Sequence, residues 1–163
     1  MNSLQIRKIE KGDNLKVAEL IRSVFDELDI PKVGTAYEDP YLDFMFEQYQ
    51  KPQSVYFVVE KEGRIVGGAG IAPLVNGDPT ICELQKMYFL PETRGKGIGA
   101  EMMESCLQAA QEFGFKKCYI ETFPFMIAAQ KLYKKSGFEY IDTPMGNTGH
   151  SSCPIWMLKD LFY

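Results

Sequence analysis

The chain has 163 residues, 45% of them apolar and 25% charged, with a formal net charge of -4. This is an ordinary globular composition, long enough to bury a substantial core, and one domain over residues 1–163 is expected. The acidic balance gives no reason to expect nucleic acid or an anionic membrane as a partner, and no apolar run approaches the roughly 20 residues that span a bilayer.

The N-terminal MNSLQIRKIEKGDN has no apolar segment of the kind a secretory signal needs. Cys82, Cys106, Cys118 and Cys153 are scattered with no CxxC, and are expected to be reduced, mostly packed thiols of a cytoplasmic protein. The single His150 and dispersed acids offer no metal-ligand cluster, so no metal is expected.

In chain order, Leu4–Ile9 reads as a short strand and Asp13 as an N-cap. Val17, Leu20, Ile21, Val24 and Leu28 recur at helical spacing. Pro31–Pro40 is loop, and Tyr41–Gln50 an aromatic-rich second helix. Ser54–Glu60 and Ile65–Leu74 form a hairpin around KEGR; Gly67, Gly68 and Gly70 signal a bulge or a close backbone approach. Thr80–Leu90 is a third strong strand, Gly97–Phe113 an amphipathic helix, Lys117–Phe123 a strand and Phe125–Lys135 a helix. Phe138–Thr143 and Ile155–Lys159 are the last strands, around a Gly-rich loop. The order β-α-α-β-β-β-α-β-α-β-β argues for a mixed sheet with helices on both faces.

Gly95, Gly97 and Gly99 sit where the third helix starts, although each glycine in a helix costs about 1 kcal/mol against alanine. A helix N-terminus leaves N–H groups unpartnered and carries partial positive charge, and glycines let a ligand approach the backbone. Together these make an anion cradle, with the charges of Arg94 and Lys96 beside it. A Walker A loop is not matched. Gly95-x-Gly97-x-x-Ala100 with Glu121 beyond satisfies a dinucleotide fingerprint, but Pro91–Arg94 separate it from the strand and no second βαβαβ half follows.

Arg94-Gly-Lys-Gly-Ile-Gly99 resembles the (Q/R)xxGx(G/A) acyl-CoA signature of the GNAT superfamily of N-acetyltransferases. The strand before it, ending in MYFLPE, and Ala129-Gln-Lys-Leu-Tyr133-Lys-Lys-Ser-Gly-Phe138 beyond it are similar to that family's neighbouring segments. The resemblance implies a mixed α/β GNAT fold: a twisted, mostly antiparallel sheet of about seven strands flanked by four helices, splayed between strands 4 and 5. It further implies acetyl-CoA as co-substrate. Met87, Tyr88 and Phe89 are then expected along the pantetheine arm, and the backbone of Arg94, Gly95, Lys96, Gly97, Ile98, Gly99 and Ala100 around the pyrophosphate. Met126 stands where many members carry a cofactor-contacting Asn.

By the same resemblance Tyr133 serves the departing thiolate. Free Tyr has a pKa near 10 and a thiol one near 8.5, so full transfer would be uphill by about 2 kcal/mol; a hydrogen bond to sulfur is the better description. The acceptor amine must be neutral, which describes roughly 10% of an α-amine at pH 7 but below about 0.1% of a lysine-like amine. Glu83 is the candidate base, through a raised pKa or a water relay, with Gln85 on the same strand face. His150 in MGNTGHSSCP is a candidate for the acceptor pocket, with the Gly34–Tyr41 segment as its substitute. The expected partner is a small-molecule or amino-acid-like amine, and a homodimer is compatible with the reading. A non-catalytic acyl-CoA sensor of the same fold is the alternative.

Overall fold

The computed structural model describes residues 3–162. Seven strands form one sheet: β1 (Gln5–Lys8), β2 (Val55–Lys61), β3 (Arg64–Pro73), β4 (Ile81–Phe89), β5 (Lys117–Thr122), β6 (Glu139–Ile141) and β7 (Ile155–Asp160). Their order is β1-β2-β3-β4-β5-β7-β6. Neighbours run antiparallel except β4 and β5, which are parallel.

Helix α1 (Asn14–Glu27) covers one face, burying Val17, Leu20, Ile21, Val24 and Phe25 against Tyr56 and Val58. Helix α3 (Ile98–Glu112) covers the other, with Met102, Met103 and Cys106 against Val66, Ile71 and Cys118. Helix α4 (Ile127–Lys135) joins this second core through Tyr133, whose ring meets Phe138 edge-on. A sheet with both faces covered leaves its edges and strand ends as places for a ligand, and two features of β4 create one.

The first is a splay. β4 pairs with β5 only from Ile81–Lys117 to Glu83–Tyr119, although β4 runs on to Phe89 and β5 to Thr122. The second is a bulge. Gly68 pairs with Tyr88 but Gly70 with Gln85, so two residues of β4, Lys86 and Met87, oppose Ala69. Lys86 takes the left-handed conformation, φ 50°, unusual for a side chain of its size. The β3 glycines permit this. A Cβ at Gly68 would fall 2.6 Å from the Tyr56 hydroxyl, which donates to the Lys86 carbonyl over 2.8 Å. The expected close approach and the expected bulge are thus one device.

Several boundaries shift. The second helix is only a 3-10 turn (Leu42–Phe44) and one α-turn, α2 (Met45–Gln48). Phe44 breaks the run with φ -132° and ψ 42°, and the Phe46 N–H donates to Asn14 Oδ1, a cap brought in from α1. Asp13 occupies the N-cap position of α1 but makes no side-chain cap bond. Its carboxylate instead accepts from the Glu10 N–H and pairs with Arg7. The strand expected over Phe138–Thr143 keeps only Glu139–Ile141, and the last helix starts at Ile127, with Met126 as its N-cap.

Candidate active site

After β4, Pro91–Thr93 make a 3-10 turn, and the chain enters α3 through Gly95 (φ 77°) and Gly97 (φ 79°). Only glycine adopts this conformation without steric cost. A Cβ at either position would meet no atom within 4 Å, so the space over both is open. The unpartnered N–H groups that begin a 15-residue helix lie beside that space, which fits a pyrophosphate.

A cleft of about 360 Å³ runs from here into the splay. Met87, Tyr88, Phe89, Met126 and Tyr133 line it, as do Arg94, Gly95, Gly97, Ile98 and Gly99. Lys96 and Ala100 are exposed and lie outside the lining. Arg94 brings little free charge, because its guanidinium donates to Glu27 (2.7 and 2.8 Å) and to the Phe89 carbonyl (2.7 Å). It ties the end of α1 to the cradle. Half-exposed Phe125 and Ile127 add an apolar wall, so the cleft suits a ligand with one anionic end and an apolar arm.

The cleft shares Met87, Tyr88, Met126 and Tyr133 with a smaller chamber of about 60 Å³, where Glu83, Gln85, Lys86, Glu121 and His150 gather. Glu83 is buried, and Gln85 Nε2 donates to its Oε1 over 2.8 Å. Burial pushes the Glu83 carboxyl up to about 7; the Gln85 hydrogen bond opposes the rise and the Glu121 charge adds to it. This is where a general base working at neutral pH should titrate. Burial also pushes the Tyr133 hydroxyl above the ordinary tyrosine value. That hydroxyl has no hydrogen-bond partner among the described residues and is not sealed from the cavity, so it can donate to a ligand.

Three charged residues of the site were not selected from the sequence. Glu121 ends β5 with its carboxylate accepting from the Tyr119 hydroxyl (2.8 Å) and the Thr148 hydroxyl (2.5 Å). Lys86 Nζ, on a side chain only 1% exposed, pairs with Asp39 over 2.5 Å and donates to the Tyr41 hydroxyl over 2.8 Å. Asp39 also receives His150 Nε2 at 3.0 Å. Burial works against the Asp39 carboxylate, but the bond to His150 and the Lys86 charge hold it below its usual range. Burial likewise opposes the charge on His150, and Asp39 outweighs it, raising the imidazole above its ordinary value. The Gly34–Tyr41 segment and the His150 loop therefore build the site jointly.

The expectation of dispersed acids without a metal-ligand cluster is corrected by the fold. One donor atom each from Glu83, Glu121 and His150 lie within 4.8 Å of one another. The splay and the 145–153 loop bring together residues far apart in the chain. The four cysteines are free and buried, as expected. Among the described residues no helix is long and apolar enough to cross a membrane.

A family model described as the acetyltransferase (GNAT) family matches residues 21–138, from α1 through the cradle to the turn after α4. The chain belongs to the GNAT family. This GNAT chain is 45% identical over 157 residues to the uncharacterized N-acetyltransferase YjgM of Escherichia coli, covering 96% of one chain and 94% of the other. It superposes on a GNAT acetyltransferase of Staphylococcus aureus with a TM-score of 0.87 at 20% identity, covering 98% of this chain and all of that one. A Salmonella typhimurium acetyltransferase, YncA, described with its cofactor acetyl-CoA, matches with a TM-score of 0.76 at 18% identity, covering 99% and 95%. The expected GNAT fold, with its parallel β4–β5 pair in a mostly antiparallel seven-stranded sheet, is the one found.

Proposed function

We propose that this enzyme transfers the acetyl group of acetyl-CoA to a primary amine of a small molecule, by direct attack on the thioester. One observation carries the reading. Glu83 and Tyr133 line the same chamber, and that chamber shares four lining residues, Tyr133 among them, with a cleft that reaches the open space over Gly95 and Gly97. The description of the Salmonella neighbour with acetyl-CoA supports the choice of donor.

In this reading the pyrophosphate sits over Gly95 and Gly97, and the pantetheine arm follows Met87–Phe89 through the splay. Glu83 takes the proton from the acceptor's ammonium group. The amine lone pair then forms the bond to the carbonyl carbon, the C–S bond breaks with its electron pair leaving on sulfur, and the excess proton on nitrogen passes to that thiolate, giving a neutral amide and the coenzyme A thiol. Tyr133, kept protonated by burial, donates a hydrogen bond to that sulfur as charge builds. The four unpaired thiols fit a reducing, cytoplasmic setting. A non-catalytic sensor would need the cradle but neither Glu83 nor Tyr133 in the chamber.

The test is an amine panel with acetyl-CoA, read by thiol release and by mass of the products. Amine-dependent release with a 42 Da gain on the amine is the expected outcome. Tight acetyl-CoA binding with no product from any amine would favour the sensor.

A further inference from the structure

The charges around the chamber say which amines it admits. The ionisable charge-bearing residues in its lining are Glu83, Lys86, Glu121 and His150. The two cations are already committed. Lys86 pairs with Asp39 and Tyr41 on a side chain 1% exposed, so no ligand reaches its ammonium group. His150 gives Nε2 to the same Asp39, and its Nδ1 lies 3.9 Å from Glu121 Oε1. Among the described residues neither glutamate forms an ion pair with a lysine or arginine: the imidazole is 3.9 Å from Glu121, and Lys86 acts on Glu83 only as a charge at a distance. Glu83 accepts from an uncharged amide, and Glu121 from two hydroxyls.

We infer that the chamber binds its acceptor as an ammonium ion between Glu83 and Glu121, and that it selects amines whose nitrogen-bearing carbon carries no carboxylate. The inference rests on the acetyltransfer reading and narrows it, excluding free α-amino acids. An ammonium group entering here gains two carboxylates. A carboxylate one carbon away would be carried in beside the same two negative charges, and both cations of the lining are already paired with Asp39. Like charges brought together out of water are unfavourable, and specificity by such repulsion is common.

The approach agrees with this. A groove of about 680 Å³ shares Thr35 and Gln85 with the chamber, and its charged lining is Glu38, Asp39 and Lys51. Lys51 is exposed and lies in the groove, outside the chamber lining. A carboxylate distant from the amine can use it; one on the adjacent carbon must enter the chamber.

Matched acceptors test this: leucine, leucinamide and isoamylamine, which share a side chain and differ at one substituent. Rates are corrected for the ammonium fraction of each amine at the assay pH. We expect kcat/KM for isoamylamine and leucinamide to exceed that for leucine at least tenfold. Glu121→Gln should raise KM for isoamylamine more than it lowers kcat, and should narrow the gap to leucine. A merely structural role for Glu121 would leave the ratio between acceptors unchanged. Calorimetric titration of the same compounds into protein saturated with coenzyme A reads the preference without turnover. Leucine binding as well as isoamylamine, or an unchanged ratio in Glu121→Gln, overturns the inference. Preferential binding of isoamylamine without any thiol release would uphold the charge selection and overturn acetyl transfer instead.

Discussion

Gln85 is clamped onto Glu83 from behind: its Nε2 donates to Glu83 Oε1 over 2.8 Å, while its own Oε1 accepts from the Tyr49 hydroxyl over 2.5 Å. Tyr49 fixes which way the amide faces, so Gln85 can only donate to the base. The clamp holds one Glu83 oxygen and leaves the other free of it, which in the proposed reaction is the oxygen that takes the acceptor's proton.

Glu83 must be ionised to accept that proton. With its carboxyl at about 7, kcat/KM is expected to rise with pH through neutrality and level off above it. Glu83→Gln should cost 10²-fold or more in kcat and abolish that limb, as loss of a general base does. A pH–rate profile of both proteins checks this; an unchanged limb in the variant would remove Glu83 from the chemistry.

The same group has a stability signature. Its folded pKa of about 7 lies above the ordinary 4.5, so the fold favours the protonated form. Its contribution to stability is full below 4.5 and is lost as pH rises through 7, a change of about 3 kcal/mol. Glu83→Gln cannot titrate and should gain on wild type by about that much between pH 4.5 and 8. Urea denaturation across this range measures it; a constant difference between the two proteins contradicts the burial argument.

Tyr133→Phe keeps the ring against Phe138 and removes a hydroxyl that bonds to no described residue. Turnover should fall tenfold or more, with acetyl-CoA affinity and melting temperature nearly unchanged. Undiminished turnover would leave Tyr133 with a packing role only.

The cradle can be tested with its own control. Gly97 and Gly63, the latter in the β2–β3 turn, share almost the same φ (79° and 78°) and the same empty surroundings. Alanine at either costs about 1–2 kcal/mol of backbone strain. Only Gly97→Ala should weaken acetyl-CoA binding, by tenfold or more in a calorimetric titration. Equal affinities for the two variants would mean that the space over Gly97 is not the phosphate site.

Asp39→Ala strands Lys86 in a nearly inaccessible position without its counter-charge. A loss of about 3–5 kcal/mol is expected. Adding Lys86→Met should restore much of it, since the uncompensated charge and not the missing contact dominates the cost. Chemical denaturation of the single and double variants decides the matter; a double variant no more stable than Asp39→Ala contradicts it.

Most of the frame was legible in the sequence, because period-two and period-3.6 patterns survive folding. The glycines before α3 were legible as an open turn at a helix start, and the structure shows that turn, with positive φ and free space at Gly95 and Gly97. Glu83 and Gln85 were legible as one face of a strand. Lys86 was not. A charged residue in CELQKMYF reads as the solvent side of an alternating strand, and only the bulge turns it inward. Glu121 and Asp39 were hidden for a different reason. Each matters through a partner on another segment, Thr148 and Lys86 respectively, and such long-range pairs leave no local spacing.

The sealing of Lys86 has one more consequence. A lysine within reach of a bound thioester is a competing nucleophile, and an enzyme that modifies amines risks modifying itself. Burial favours the neutral, reactive form of Lys86, but Tyr41 and Asp39 overcome it and hold the amine above its ordinary value, as a cation. A protonated nitrogen has no lone pair to offer. In the proposed reaction the ion pair behind the chamber would therefore act as insulation, keeping the enzyme's own lysine inert while a transient guest is acylated beside it.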